Sequence, residues 1–206
     1  MPYGNEIFRF KGVVSMQKPK PSFAAILMYS IIAVAAVSSA IFLGIYYLNI
    51  SRNGALLWSG IVAFMIMYHL WTRIIFGNVT KFFKPDYNNL WFREKNFERY
   101  LYRLLRVHSW KDKALTYNPE EFSLRERSYE EIAQAMTKAE LDHWVNQLIS
   151  LASILFALLW GQWWIFILTA IAAMVFDGQF ILIQRYNRPR ILKLLEKKTK
   201  RKCLNV

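Results

Sequence analysis

From Phe23 to Leu48 the chain carries no charged residue. At 1.5 Å per residue that run exceeds the ~30 Å hydrocarbon core of a bilayer, so a spanning helix is predicted over 23–48. Arg9, Lys11, Lys18 and Lys20 precede it, and "AVSSA" supplies small residues, as in a signal peptide. The run is too long for such a segment and continues past the small residues, so a retained anchor is expected. A second run, "ALLWSGIVAFMIMYHLWTRIIF", predicts a span over about 55–76. Apolar residues resume at Val145 and persist to Ile183, too far for one span and right for two. Gly161-Gln162 divides that stretch, with Trp160, Trp163 and Trp164 around it. Tryptophan favours the membrane–water interface, so spans over about 144–160 and 163–183 are expected, joined by a tight turn.

Between the second and third spans the pattern becomes amphipathic. In "NFERYLYRLLRVHSW", Phe97, Leu101, Leu104, Leu105 and His108 share a helical face while Arg99, Arg103 and Arg106 fall elsewhere. That predicts a helix lying on a leaflet. After a polar connector, Ser128 and Glu131 have capping-box spacing, and no Pro or Gly interrupts the chain from there to Gly161. In the tail, Asn187 is expected to cap an amphipathic helix over 188–202, with Pro189 in its first turn. The fold class predicted is an all-α integral membrane protein, a single domain of about four transmembrane helices plus interfacial helices. No internal repeat is visible.

Composition and charge add an orientation. The chain has 206 residues, is 55% hydrophobic and carries a formal net charge of +13. A soluble domain of this size has little room to hide that much apolar surface. No nucleic-acid motif accompanies the charge, so an anionic leaflet is the expected partner and nucleic acid is not. Of the Lys and Arg residues, only Arg52 falls between spans one and two, Arg73 lies within span two, and none falls between spans three and four. All others lie with the termini or in 77–143. The positive-inside rule therefore makes both termini and residues 77–143 cytoplasmic. Cys203 is the one cysteine, expected to be a free thiol.

Ionisable groups inside spans are costly and tend to be functional. His69 and Arg73 lie one turn apart in span two. Asp177 and Gln179 lie in span four, two turns above Arg185. A His69–Asp177 pair would either glue two helices or open a site toward the cytoplasmic leaflet. Glu140 and His143, in "AELDHW", share a helix face with Ile132, Ala133 and Met136. A carboxylate one turn from an imidazole fixes its tautomer and raises its basicity, as a general base requires. A structural histidine at the start of a span would look the same. One E-x-x-H is half of a di-iron motif, and no second accompanies it, so no metal is expected. His108 and Asp112 form H-x-x-x-D, one residue short of the acyltransferase H-x-x-x-x-D. Trp110 and Lys111 are expected at the membrane surface, where a cation meets a phosphate.

Three segments, "KNFERYLYRLLRVHSWKDK", "AMTKAELDHW" and "ILIQRYNRPRILKLL", resemble in order the glycosyl-4,4'-diaponeurosporenoate acyltransferase family of small bacterial membrane proteins. The resemblance covers about residues 69–202, and the last segment is the most specific. His69, Arg73 and Gly77, in H-x-x-x-R-x-x-x-G, resemble a related branch of Gram-positive membrane proteins. The resemblance implies transfer of a fatty acyl chain to a sugar hydroxyl of a glycosylated polyprenoid acid, in a bacterial cell membrane. It ranks His143 with Glu140 above His108. His143 is then the expected base, oriented by Glu140, with His69 as alternative, and Arg73 or Arg185 as oxyanion donors. Lys111, Arg185, Arg188 and Arg190 would attract an acyl-CoA or acyl carrier protein, and Trp110, Asp177, Gln179 and Asn187 join the expected binding residues. No tightly bound cofactor is expected. The acceptor is a lipid or glycolipid, and the oligomeric state stays open. A scaffold of a lipid-biosynthetic complex and a small proton-coupled transporter are the rival readings.

Overall fold

The computed structural model describes residues 22–204, and the basic residues expected to precede span one lie outside them. Among the described residues the chain is all-α, with no strand. Helices α1 (Phe23–Tyr47) and α2 (Gly54–Val79) form one antiparallel pair. Short helices α3 (Asn96–Leu104) and α4 (Val107–Trp110) follow. Helix α5 (Tyr129–Ala152) runs through a 3-10 turn into α6 (Ala157–Trp160), and α7 (Trp163–Leu204) returns antiparallel to it. Four helical segments are long and apolar enough to cross a membrane, so this is a membrane protein.

Each helix end has a local cause. Ser22 and Asn53 accept hydrogen bonds from Ala25 and Ala55 N–H, capping α1 and α2. Ser128 and Glu131 form the reciprocal capping box that starts α5. Gly161 adopts φ +73°, a left-handed conformation that costs glycine little, and it makes the turn between α6 and α7. At the end of the bundle near that turn, Leu57, Ile61, Met65, Ala157, Ile165 and Phe166 form the apolar core. Outward residues such as Val34, Leu158, Leu168 and Val175 are exposed, as an apolar belt facing lipid requires.

Helices α1 and α2 touch where Gly60 meets Leu43. A Cβ on Gly60 would sit 2.7 Å from Leu43 Cδ2 and 3.2 Å from the Leu43 backbone nitrogen. Ser39 Oγ donates to Gly60 O at 3.1 Å across the same contact. Close approach at small residues is how membrane helices gain packing contacts. Gly60→Ala must push the pair apart, and we expect it to cost about 1–3 kcal/mol, the range for overpacking a tight contact. Thermal unfolding in detergent measures this, and an unchanged midpoint would refute it.

Two expectations are corrected. The tail is not a separate helix capped by Asn187: α7 continues through Asn187 and Pro189 to Leu204. A proline inside a helix removes one backbone hydrogen bond. Here the side chains of Arg185 and Arg188, both just before Pro189, are bonded to the carbonyls of residues 91–93 and anchor the helix as it enters that weakened turn. The amphipathic helix of the central segment also ends earlier than its pattern suggests. Arg106 takes φ 47°, breaking the helix before His108. Ser109 Oγ donates to Arg106 O and Trp110 Nε1 to Leu105 O, so the break is tied down from both sides.

Candidate active site

Two polar clusters lie one above the other, the upper between α2, α5 and α7 and the lower between α3, α5 and α7. In the upper cluster, α7 contributes Asp177, which is fully buried. Asp177 accepts from Arg73 Nη2 at 2.5 Å and Nε at 3.3 Å, from Asn146 Nδ2 at 3.4 Å, and pairs with His143 Nδ1 at 2.9 Å. An ionised carboxylate can only accept, so His143 Nδ1 carries the hydrogen, and in the neutral imidazole Nε2 holds the lone pair. The imidazole stacks on Phe180, with ring centroids 4.8 Å apart and an interplanar angle of 8°. Its side chain keeps 20% of its surface exposed. Nε2 makes no hydrogen bond among the described residues and is not one of the sealed, unpaired buried atoms.

Arg73 comes from α2 and directs four of its five N–H groups at Asp177, His69 O and Ala173 O. It crosses from α2 to α7 and lies over the Phe176 ring at 5.2 Å. His69 itself is buried, and its Nε2 has no hydrogen-bond partner among the described residues. The expected His69–Asp177 pair does not form: Arg73, one turn along, reaches Asp177 instead.

The lower cluster is an ion-pair network. Glu140, fully buried on α5, accepts from Arg185 Nη1 at 2.6 Å. Arg188 Nη1 lies 2.7 Å from its other oxygen but off the hydrogen-bond axis, so that contact is coulombic. Glu98 on α3 accepts from Arg185 Nε at 2.9 Å and from the Tyr102 hydroxyl at 2.9 Å. Burial and the adjacent Glu98 carboxylate push the Tyr102 phenol well above its usual range, which keeps it a donor. Arg185 also donates to Trp91 O and Arg93 O, and Arg188 to Phe92 O. Two arginines and two carboxylates balance, and the segment around Phe92 is fastened to the bundle.

This geometry separates residues that the sequence had joined. Glu140 does not hold His143; its oxygens face Arg185 and Arg188, and the carboxylate on His143 is Asp177. The reason is helical direction. Glu140 is level with Arg185, whereas His143, one turn on, is level with Asp177. Arg185 and Arg188 are likewise not a free phosphate-binding surface, because both are buried and neutralised. All five Arg185 N–H groups point at partners, which removes it as an oxyanion donor. Gln179 and Asn187 are half-buried, and neither joins either network among the described residues. Trp110 is tied to the chain break by its indole N–H. Lys111 pairs with Asp112 at 2.5 Å, and that hydrogen bond holds the Asp112 carboxyl below its ordinary range. His108 is exposed, and among the described residues no hydrogen bond joins it to Asp112, whose partner is Lys111. Arg190 lies over the Tyr186 ring at 3.9 Å, on the outside of α7. Glu98, Tyr102 and Asn146 were not anticipated. Charge balance was the available signal: two arginines one turn apart in a buried helix call for two carboxylates.

A family model described as glycosyl-4,4'-diaponeurosporenoate acyltransferase matches residues 88–197, just over half of the chain. The chain belongs to that family. It is therefore an acyltransferase, and the matched stretch carries Glu98, Glu140, His143, Asp177, Arg185 and Arg188. No curated protein and no solved structure matches the chain.

Proposed function

We propose that the protein transfers a fatty acyl chain from a thioester to a sugar hydroxyl of a glycosylated carotenoid-like lipid, at the cytoplasmic face of a bacterial cell membrane, with His143 as general base. The observation that carries this reading is the His143–Asp177 pair, in which Nδ1 is engaged at 2.9 Å and Nε2 is left with its lone pair. Asp177 fixes the tautomer and stabilises the imidazolium that forms, as the carboxylate does in a Ser-His-Asp triad. The acceptor hydroxyl gives its proton to Nε2 as its oxygen attacks the thioester carbonyl. The carbon–sulfur bond breaks as the tetrahedral intermediate collapses to the ester, and the imidazolium returns the proton to the thiolate. Arg73 keeps one N–H on Nη1 uncommitted and is the nearby cation for the oxyanion. A site between helices suits an acceptor that arrives sideways from the bilayer.

The test is acyl transfer by purified protein in nanodiscs, using a radiolabelled acyl thioester and a glycosylated carotenoid acid. Formation of the labelled glycolipid ester is expected. Hydrolysis without transfer, or no turnover on any glycosylated polyprenoid, would sink the reading.

The cytoplasmic assignment has its own test. A reporter fused after Val206 is expected to report cytoplasm, and one inserted at Arg52-Asn53 the opposite side, since cytoplasmic loops hold the Lys and Arg excess. The same side for both reporters would overturn the topology.

A further inference from the structure

A concavity lies apart from the His143 site, between α3, α4 and the lower part of α7. It encloses about 790 Å³. Arg99, Arg103 and Arg106 line it from the α3 side, and Arg190 and Lys193 from α7. One carboxylate, Glu94, stands among them, 3.3 Å from Arg99. All five cations are exposed, in contrast to Arg185 and Arg188. The Tyr102 and Tyr186 rings, 5.3 Å apart and edge to face, form part of the wall. Five cations against one carboxylate in a concave site call for a ligand with several phosphate charges.

We propose that this groove binds the phosphorylated end of a coenzyme A thioester, the donor for the transfer described above, on which reading the proposal rests. Three observations favour this ligand. The volume lies in the ~300–1,000 Å³ range of small-molecule sites, and a carrier protein's acidic helix does not enter a cleft of that size. The α3 arginines also lie off that helix's apolar face. Phe97, Tyr100 and Leu104 form that face and are 64%, 65% and 64% exposed. With it on the leaflet, Arg99, about 130° round the helix, looks toward water, and Arg103, about 90° round, lies to the side, within reach of a soluble donor. Finally, Phe180, stacked on His143, and Arg190, at the groove, are separated by about 15 Å of α7 at 1.5 Å per residue. A phosphopantetheine arm is long enough to carry a thioester across that gap.

The experiment is calorimetric titration of coenzyme A into the full-length protein in phosphatidylcholine nanodiscs, whose lipids carry no net charge. Saturable binding that weakens with salt is expected. Lys193→Glu, a surface change that the fold tolerates, and the Arg103→Gln, Arg190→Gln double variant should each weaken binding about tenfold or more, the worth of one charge-assisted phosphate contact. Dephospho-coenzyme A should bind more weakly than coenzyme A. Unchanged affinity in both variants overturns the proposal. So does absence of coenzyme A binding, with holo acyl carrier protein binding in its place. Variants that lose only association with phosphatidylglycerol vesicles overturn it too, by making the groove a headgroup site. His143→Ala should retain full coenzyme A affinity, so a failed base assignment and a failed donor groove give different results.

Discussion

His143→Ala lowers acyl transfer by roughly 10²–10⁴-fold, the usual worth of a positioned general base. Folding should survive, because the imidazole is partly exposed and its removal leaves Asp177 still paired with Arg73 and Asn146. Asp177→Asn should reduce turnover by a comparable factor, since an amide nitrogen can donate to Nδ1, leaving Nε2 protonated and unable to act as a base. It carries a second cost that His143→Ala does not. Arg73 would lose its counter-ion in a span, so a lower unfolding midpoint is expected for Asp177→Asn alone. In turnover per folded molecule, the double variant should be little worse than His143→Ala, because residues acting as a unit are strongly non-additive. Asp142→Asn is the internal control: Asp142 pairs with Lys138 at 2.6 Å, away from the site, and should retain activity. The measurement is initial rate in nanodiscs alongside the melting temperature of each variant. A well-folded His143→Ala protein with full activity would move the base to His69, the remaining histidine beside the cluster.

How much of this was legible in the sequence depended on the kind of interaction. Spans one and two were readable because uncharged runs have few alternatives in a bilayer. The capping box at Ser128 and the turn at Gly161 were readable because each needs only neighbours in the chain. Glu140 and Asp177 were singled out correctly as buried polar groups, since burial follows from helix periodicity, while His143 is only half-buried. Their pairing was not readable. An i, i+3 relation on α5 suggested Glu140 with His143, but each side chain found a better partner across the α5–α7 contact. Which residue of α7 lies level with which residue of α5 is fixed by the turn at Gly161 and by packing, and neither is a local property. The tail failed for a similar reason. Asn187 and Pro189 have the local signature of a helix start, and the hydrogen bonds of Arg185 and Arg188 to the 91–93 carbonyls override it. Arg185 and Arg188 looked like free surface cations, because the carboxylate that completes their network, Glu98, lies on a helix distant in sequence whose pattern read only as an apolar face for a leaflet. That apolar face is exposed, at Phe97 and Leu104, and the other side of the helix buries Glu98 and Tyr102 against the bundle.

The same cluster gives the largest stability effect. Glu140→Ala removes the carboxylate that faces both Arg185 and Arg188, leaving two buried guanidinium groups with only Glu98 as counter-ion. Breaking a buried pair from one side typically costs about 3–5 kcal/mol, because an uncompensated charge stays in the interior. On the scaling for proteins of 150–250 residues that is roughly 6–20 °C in melting temperature. Glu140→Gln keeps the shape and one acceptor but loses the charge, so it should fall between Glu140→Ala and the wild type. The loss should be concentrated around residues 90–93, whose carbonyls rely on the two arginines. Hydrogen exchange should therefore rise there before it rises in α1 and α2. Activity per folded molecule separates this structural role from the one the sequence suggested. A network residue changes stability and leaves the rate of the folded fraction near that of the wild type, whereas an orienting partner of His143 does the reverse. A Glu140→Gln protein that melts within about 2 °C of the wild type, under 1 kcal/mol on the same scaling, yet has lost most of its turnover would show that Glu140 serves the base after all.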